Sequence, residues 1–331
     1  LSIPRTAATT FEIAIMPFYP GFSKIIFSFI FFILVYIITI NGSKVIDRVG
    51  KYLTPTLLII LLMLIIGGIS APNVNLEINQ DSKLSQGFIE GYQTMDSLGP
   101  IFLTAIILED FRNKGFRSDK DLKKASIYAG IISVIGLSII YTGLTYLGAK
   151  SFSNVESSIS RTSLLLAIAN NYLGYIGQLA LSLVVGFACL TTAVGLLSAF
   201  ATSFSQNMGD RFSYKFFVRF GVFLGFILSI LGVDRIMEIS TPILLFVYPI
   251  VISLYILNLI DNSDMDPLIY RIVVSGVALV SFADSLKSLS IDNFYTNFVE
   301  NMPLANYGFA FVFIFIVTFA MAYLISKLRN Y

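Results

Sequence analysis

Two runs, IIFSFIFFILVYIITI (25–40) and TPTLLIILLMLIIGG (54–68), carry no charged residue. No feature of the chain constrains its fold more. About 20 apolar residues in helical form cross the hydrocarbon of a bilayer, and backbone groups in lipid must be satisfied within the segment, which leaves helices or closed barrels. The runs are long and lack a two-residue alternation, so they read as helices and not strands. Ten segments fit this description: 1–19, 23–41, 49–70, 86–110, 124–147, 175–204, 214–233, 237–259, 270–287 and 304–326. Composition agrees. Of 331 residues, 56% are hydrophobic and 13% charged, whereas a soluble domain carries roughly 25% charged residues. The expectation is an all-α, polytopic membrane helix bundle forming a single domain over 1–331.

The lysines and arginines orient it. Counting alternate connections, one set holds fifteen of them, among them Lys44, Arg48, Lys51, Arg112, Lys120, Lys215 and Arg271. The other holds six: Lys24, Lys83, Lys150, Arg161, Arg235 and Lys287. The excess puts the C-terminus and the 111–124 connection in the cytoplasm. Chemistry narrows as well. The chain has no histidine and one cysteine, Cys189. This excludes an internal disulfide, a Cys/His metal site and a histidine proton relay.

GYQTMDSLGP (91–100) directly precedes the apolar run IFLTAIIL (101–108). Glycine and proline at membrane depth free backbone groups that lipid cannot satisfy. Such a break persists where it lines a cavity or binds something. The carbonyl end of one half-helix attracts cations and the amide end of the next attracts anions. A zwitterion suits such a site, with Gly91, Tyr92, Gln93, Thr94, Met95, Asp96 and Ser97 around it. If the stretch were only an outer loop, the span would shrink to 98–110, which is short for a bilayer.

In the sixth span, Ala188, Thr191 and Thr192 lie at i, i+3 and i+4, on one helical face. A carbonyl and two hydroxyls are hard oxygen ligands of the kind Na⁺ takes. Threonines in membrane helices also bond to their own helix's carbonyls, so the residues alone leave both readings open. In the first segment Arg5 and Glu12 are two turns apart and share a face. Ionisable groups within a span are costly and usually paired or functional. Pro4 begins or kinks that helix. Asp284 stands isolated in the ninth span. In the 150–174 connection, Ser160 can cap a short helix that packs on the bundle or serves as a lid.

IPRTAATTFE (3–12), GFIEGYQTMDSLGP (87–100), ACLTTAVGLLSA (188–199), STPILLFVYPIVISL (240–254) and PLANYGFA (303–310) together resemble segments of the bacterial branched-chain amino acid carriers, the sodium-coupled leucine/isoleucine/valine system II family, in the family's order. The resemblance implies a leucine-transporter-like, inverted-repeat fold of the amino acid/polyamine/organocation superfamily. Residues 1–70 would be the remainder of the first repeat, 86–259 the second, and 270–326 two accessory helices. It implies that the first span here is the family's third, with two N-terminal spans lacking before Leu1, and that the fourth is the broken helix opening the second repeat. It implies a sodium ion on the Ala188 carbonyl, Thr191 and Thr192, and a substrate site at residues 91–97.

The implied function is sodium symport of leucine, isoleucine and valine into a bacterium across its cytoplasmic membrane. Na⁺ is the coupling ion, and no other cofactor, nucleic acid or obligate protein partner is expected. Proton coupling, with Glu12 and Asp96 as carriers, and a remnant without transport are the alternatives. A channel would need a filter or repeated pore segment, and an embedded enzyme a metal site, a dyad or a nucleophile with its base. No such motif is evident in the sequence.

Overall fold

A helix satisfies its own backbone, so apolar runs of this length become helices wherever they are described. The computed structural model describes residues 1–40, 44–70, 84–116, 118–152, 160–208, 212–260 and 265–329. Among these there is no strand. In chain order the helices are α1 (Ser2–Thr10), α2 (Lys24–Ile40), α3 (Lys44–Ser70), α4 (Leu84–Tyr92), α5 (Leu98–Asn113) and α6 (Asp119–Phe152). They continue with α7 (Arg161–Asn207), α8 (Tyr214–Ser229), α9 (Val233–Ile260), α10 (Pro267–Ser288), α11 (Phe294–Glu300) and α12 (Ala310–Arg329). Among the described residues, five helical stretches are long and apolar enough to cross a membrane: Asp119–Lys150, Arg161–Gln206, Val233–Ile260, Pro267–Ser288 and Ala310–Arg329. Lys24–Ile40 and Thr54–Ser70 are shorter apolar helices. The basic loop residues Lys83, Arg117 and Arg211 lie outside the described residues.

The chain divides into two compact units. The first comprises Leu1–Glu77 and Ser97–Ile236, the second Ile78–Asp96 and Met237–Tyr331. In the first, α1, α2, α7 and α8 meet around Ala7, Phe32, Val35, Val194, Leu197 and Val218. A second cluster joins α3, α6 and α7 through Leu64, Ile140, Leu147, Ile168 and Leu181. In the second unit α10 and α12 pack through Val273, Val277, Phe311 and Phe315, with Leu257 of α9. Lipid is as apolar as these side chains, so close van der Waals packing holds such clusters together more than escape from water does. The remaining apolar surface is large. On α6 alone Ile132 is 70% exposed and Val134 63%, a density of exposed apolar groups that water does not tolerate.

Several boundaries differ from the sequence expectation. The first segment is not one α-helix: α1 passes into a π-helical stretch, Phe11–Ile15, where the Met16 amide donates to the Phe11 carbonyl at 2.9 Å. Ser182 of α7 donates its hydroxyl to the Ile13 carbonyl at 2.7 Å. The wider turn is therefore stabilised by a partner on another helix, invisible to local periodicity. The seventh and eighth spans, expected at 214–233 and 237–259, meet earlier. α8 stops at Ser229, Gly232 turns the chain at φ +90°, and α9 starts at Val233. Hydropathy alone places Val233 in the seventh span because it is as apolar as either neighbouring helix, whereas it opens α9. The tenth span starts at Ala310 and not 304. Leu304 and Gly308, at φ +68° and +74°, bracket one 3₁₀ turn, Ala305–Tyr307.

The Ser160 cap is present. Its Oγ accepts the Ser163 amide at 3.2 Å. The helix it opens runs on as α7, broken at Gly174 (φ +66°, ψ −172°), a conformation essentially restricted to glycine. The part before the break buries Leu166, Ile168 and Ala169 and is a packed connector.

Candidate functional site: a broken helix and a hydroxyl-bearing helix face

α4 ends at Tyr92 and α5 begins at Leu98, so the helix is interrupted within the stretch where glycine and polar residues accumulate. The last turn tightens. The amides of Gln93, Thr94 and Met95 donate to the carbonyls of Glu90, Gly91 and Tyr92 at 3.0, 3.2 and 3.1 Å, and the Thr94 hydroxyl also donates to the Gly91 carbonyl at 2.8 Å. The Glu90 and Tyr92 carbonyls thus accept an amide, and the Gly91 carbonyl accepts both the amide and the hydroxyl of Thr94. The Tyr92 carbonyl, which takes only the Met95 amide, keeps a second lone pair for a ligand donor. Met95 then takes φ +58°, a left-handed conformation that costs an L-residue roughly 1–2 kcal/mol. Tertiary contacts must hold it, and they are visible. Met95 is buried, as are Tyr92 and Gln93, whereas Gly91, Thr94, Asp96 and Ser97 are exposed.

Within the second unit, α9 grips this segment. Gln93 Nε2 donates to Thr241 Oγ1 at 2.6 Å, and Thr241 in turn donates to the Met237 carbonyl at 2.9 Å. Tyr92 stacks on Tyr248 at 4.5 Å between centroids, 10° from parallel. Phe88 packs edge-on to Tyr92 and to Phe309. Thr241 and Tyr248 escaped the sequence reading as site residues. A signal existed: α9 carries two internal prolines, Pro242 and Pro249, each of which removes a helical hydrogen bond, and both threonine and tyrosine sit next to one.

In the first unit, Ala188, Thr191 and Thr192 lie on α7 as the spacing predicts. Thr191 Oγ1 donates to the Ala188 carbonyl at 2.9 Å, which brings two of the three oxygens together. Gly186 faces Thr10 and Ala14 of the first segment. At 3.6 residues per turn, Ala188, Thr191 and Thr192 point roughly the opposite way. Their face is only partly covered: Ala188 and Thr191 are half-buried and Thr192 is exposed. α5, the helix after the break, packs on α7 in the same unit.

The two ionisable residues of the first segment have different surroundings. Arg5 is half-buried on α1. Glu12, in the π-helical turn, is a junction. Its Oε1 accepts the Val233 amide at 3.0 Å, its Oε2 accepts the Thr162 hydroxyl at 2.9 Å, and Lys24 Nζ lies 3.9 Å away. One carboxylate thereby ties the start of α2, the connector helix and the positive end of α9.

Compared with known proteins, the chain matches the family described as Branched-chain amino acid transport protein over residues 1–329. The chain belongs to this family. The branched-chain amino acid permease BraB of Bacillus subtilis (strain 168) is 33% identical over 340 residues, covering 98% of this chain and 75% of the relative. SH1502 of Staphylococcus haemolyticus (strain JCSC1435), named as a branched-chain amino acid carrier protein, is 31% identical over 99% of this chain and 77% of its own length. SAB1263c of Staphylococcus aureus (strain bovine RF122 / ET3-1), named in the same way, is 32% identical over 98% and 76%. No solved structure matches the chain to a significant degree. For this branched-chain amino acid transport family member, membership accounts for the long apolar helices, and its relatives are named as permeases and carriers.

Proposed function

We propose that the protein is a secondary active transporter that takes up leucine, isoleucine and valine by sodium symport across a bacterial cytoplasmic membrane, with its C-terminus in the cytoplasm. The observation that carries the reading is the helix interrupted between Tyr92 and Leu98, with its buried amide Gln93 pinned to Thr241. A polar break in a helical membrane protein needs a ligand or cavity to justify it. In this reading, the substrate ammonium lies against carbonyls and hydroxyls of residues 91–97. Its aliphatic chain needs no hydrogen bond, so an apolar pocket suffices. One methylene in such a pocket discriminates by about 1–3 kcal/mol, so the three substrates compete.

Sodium takes the Ala188 carbonyl and the Thr191 and Thr192 hydroxyls. The resemblance to the branched-chain carriers further implies inverted repeats of the leucine-transporter type over 1–70 and 86–259, with 270–326 as accessory helices. Rocking of one bundle against the other then alternates access.

The test is uptake of labelled leucine into vesicles carrying the protein, under an inward sodium gradient, under a matched potassium gradient, and under an inward proton gradient without sodium. Sodium-driven uptake inhibited by excess isoleucine and valine is the expected result. Uptake driven by protons alone would replace sodium symport with proton symport. Absence of uptake in all three, with insertion verified, would overturn the transport reading.

A further inference from the structure

Away from the break, α2 and α8 enclose a groove of about 420 Å³ on the surface of the first unit. Its walls are apolar. Phe29 and Phe223 are 56% and 62% exposed, and Phe32 forms a buried floor. Phe29 meets Phe226 edge-on at 6.0 Å, while Arg219 Nε donates to the Tyr36 hydroxyl at 3.4 Å. Residue 29 thus faces 226 and residue 36 faces 219, so the helices are antiparallel. The groove runs about 10 Å along them, with the guanidinium at one end only.

That end is where α8 begins, one turn from Lys215, the end that the lysine and arginine distribution assigns to the cytoplasm. An exposed guanidinium five residues into a lipid-facing helix is costly unless it reaches an anionic partner. Among the described residues no carboxylate forms an ion pair with Arg219. Its remaining donors form a planar fork that fits a phosphate.

We propose that this groove binds one anionic phospholipid, its phosphate held by Arg219 and one acyl chain lying along the wall formed by Phe29, Ile33, Phe223 and Phe226. A phospholipid combines the two features the groove offers: a negative headgroup at the cytoplasmic interface and an alkyl chain running along the helix axes. A free amino acid offers no such length, and the aromatic walls are unsuited to a soluble anion.

The experiment is native mass spectrometry of the purified protein in detergent, titrated with phosphatidylglycerol or with phosphatidylcholine of identical chains. The expected result is one tightly retained phosphatidylglycerol per chain. Its preference over phosphatidylcholine should be about fivefold, the discrimination that one basic residue contributes beside an anionic lipid. Arg219→Gln should abolish the preference, Arg219→Lys should keep part of it, and Ile33→Trp should fill the groove and lower retention of both lipids. An unchanged preference in Arg219→Gln, or equal retention of the two lipids by the wild type, would overturn the proposal. So would a disulfide-linked dimer formed in membranes by Phe223→Cys in a Cys189→Ala background, since the groove would then face a second copy.

Discussion

Gln93 and Glu12 are the residues on which the interior polar chemistry turns, and each depends on a partner far away in sequence. The Gln93–Thr241 hydrogen bond joins the broken segment to α9. A hydrogen bond of this kind contributes about 0.5–1.5 kcal/mol net, so Gln93→Ala and Thr241→Val should each raise the KM for leucine by a few-fold to about tenfold. The double variant should be no worse than the poorer single one; full additivity in the uptake assay would mean that the two side chains act separately. For Glu12, removal leaves the Val233 amide without its acceptor. Glu12→Ala should lower stability by about 1–3 kcal/mol, read as a lower unfolding temperature in detergent. Glu12→Gln, which keeps an acceptor, should lose less and retain sodium-dependent uptake. A switch to sodium-independent uptake in Glu12→Gln would instead make this carboxylate part of the coupling machinery.

At the scale of elements, breaks and caps decide where the helices begin and end. Gly174 separates the connector helix from the membrane part of α7. A side chain there meets nothing within 4 Å, so the cost of Gly174→Ala is conformational only, about 1–3 kcal/mol. Thermal unfolding would detect it; an unchanged unfolding temperature would mean that the connector re-forms at another angle. Asp266 caps α10. Its Oδ1 accepts the Leu268 amide at 2.9 Å, and Oδ2 accepts the Ser326 hydroxyl of α12 at 3.0 Å. The Leu268 amide, aided by Ser326, Arg329 and Arg271, holds this carboxyl below the ordinary range. The folded state therefore binds the proton less readily than the unfolded chain. The stabilisation is complete above the ordinary carboxylate range, about pH 4, and disappears as pH falls through the lower folded value. Asp266→Ala should unfold at a lower temperature than wild type at pH 7, and the two should converge in strong acid. Asp266→Asn, still a good N-cap, should fall between them at pH 7.

For the molecule as a whole, the proposed sodium symport requires that ion and substrate binding act together. Of the residues proposed for substrate, Gly91–Asp96 fall in one compact unit, whereas Ser97 and the residues proposed for sodium, Ala188, Thr191 and Thr192, fall in the other, and the chain passes between the units at Glu77–Ile78, Asp96–Ser97 and Ile236–Met237. Thr192 is exposed, so its hydroxyl is not needed for packing. Thr192→Ala should leave expression intact and raise the sodium concentration for half-maximal leucine uptake about tenfold or more, the effect of losing a hydrogen-bonding oxygen on a charged ligand. Unaltered sodium dependence would remove Thr192 from the proposed ion site while leaving the family assignment untouched.

Much of this was legible in the amino-acid order alone. Uncharged runs longer than a soluble helix requires determine a helical membrane bundle, because lipid accepts no other open backbone. Glycine and polar residues clustered at 91–97 mark the interruption, and the spacing of Ala188, Thr191 and Thr192 puts them on one face. Local pattern cannot report partners that arrive from distant segments. The π-helical turn at Phe11–Ile15 is supported by Ser182, Glu12 is held by Thr162 and Val233, and Gln93 is fixed by Thr241. The stop at Ser229 lies among residues as apolar as the helices on either side. These features were decided only by the tertiary structure, because in each case the stabilising atom comes from another helix, or the turn falls where hydropathy does not change.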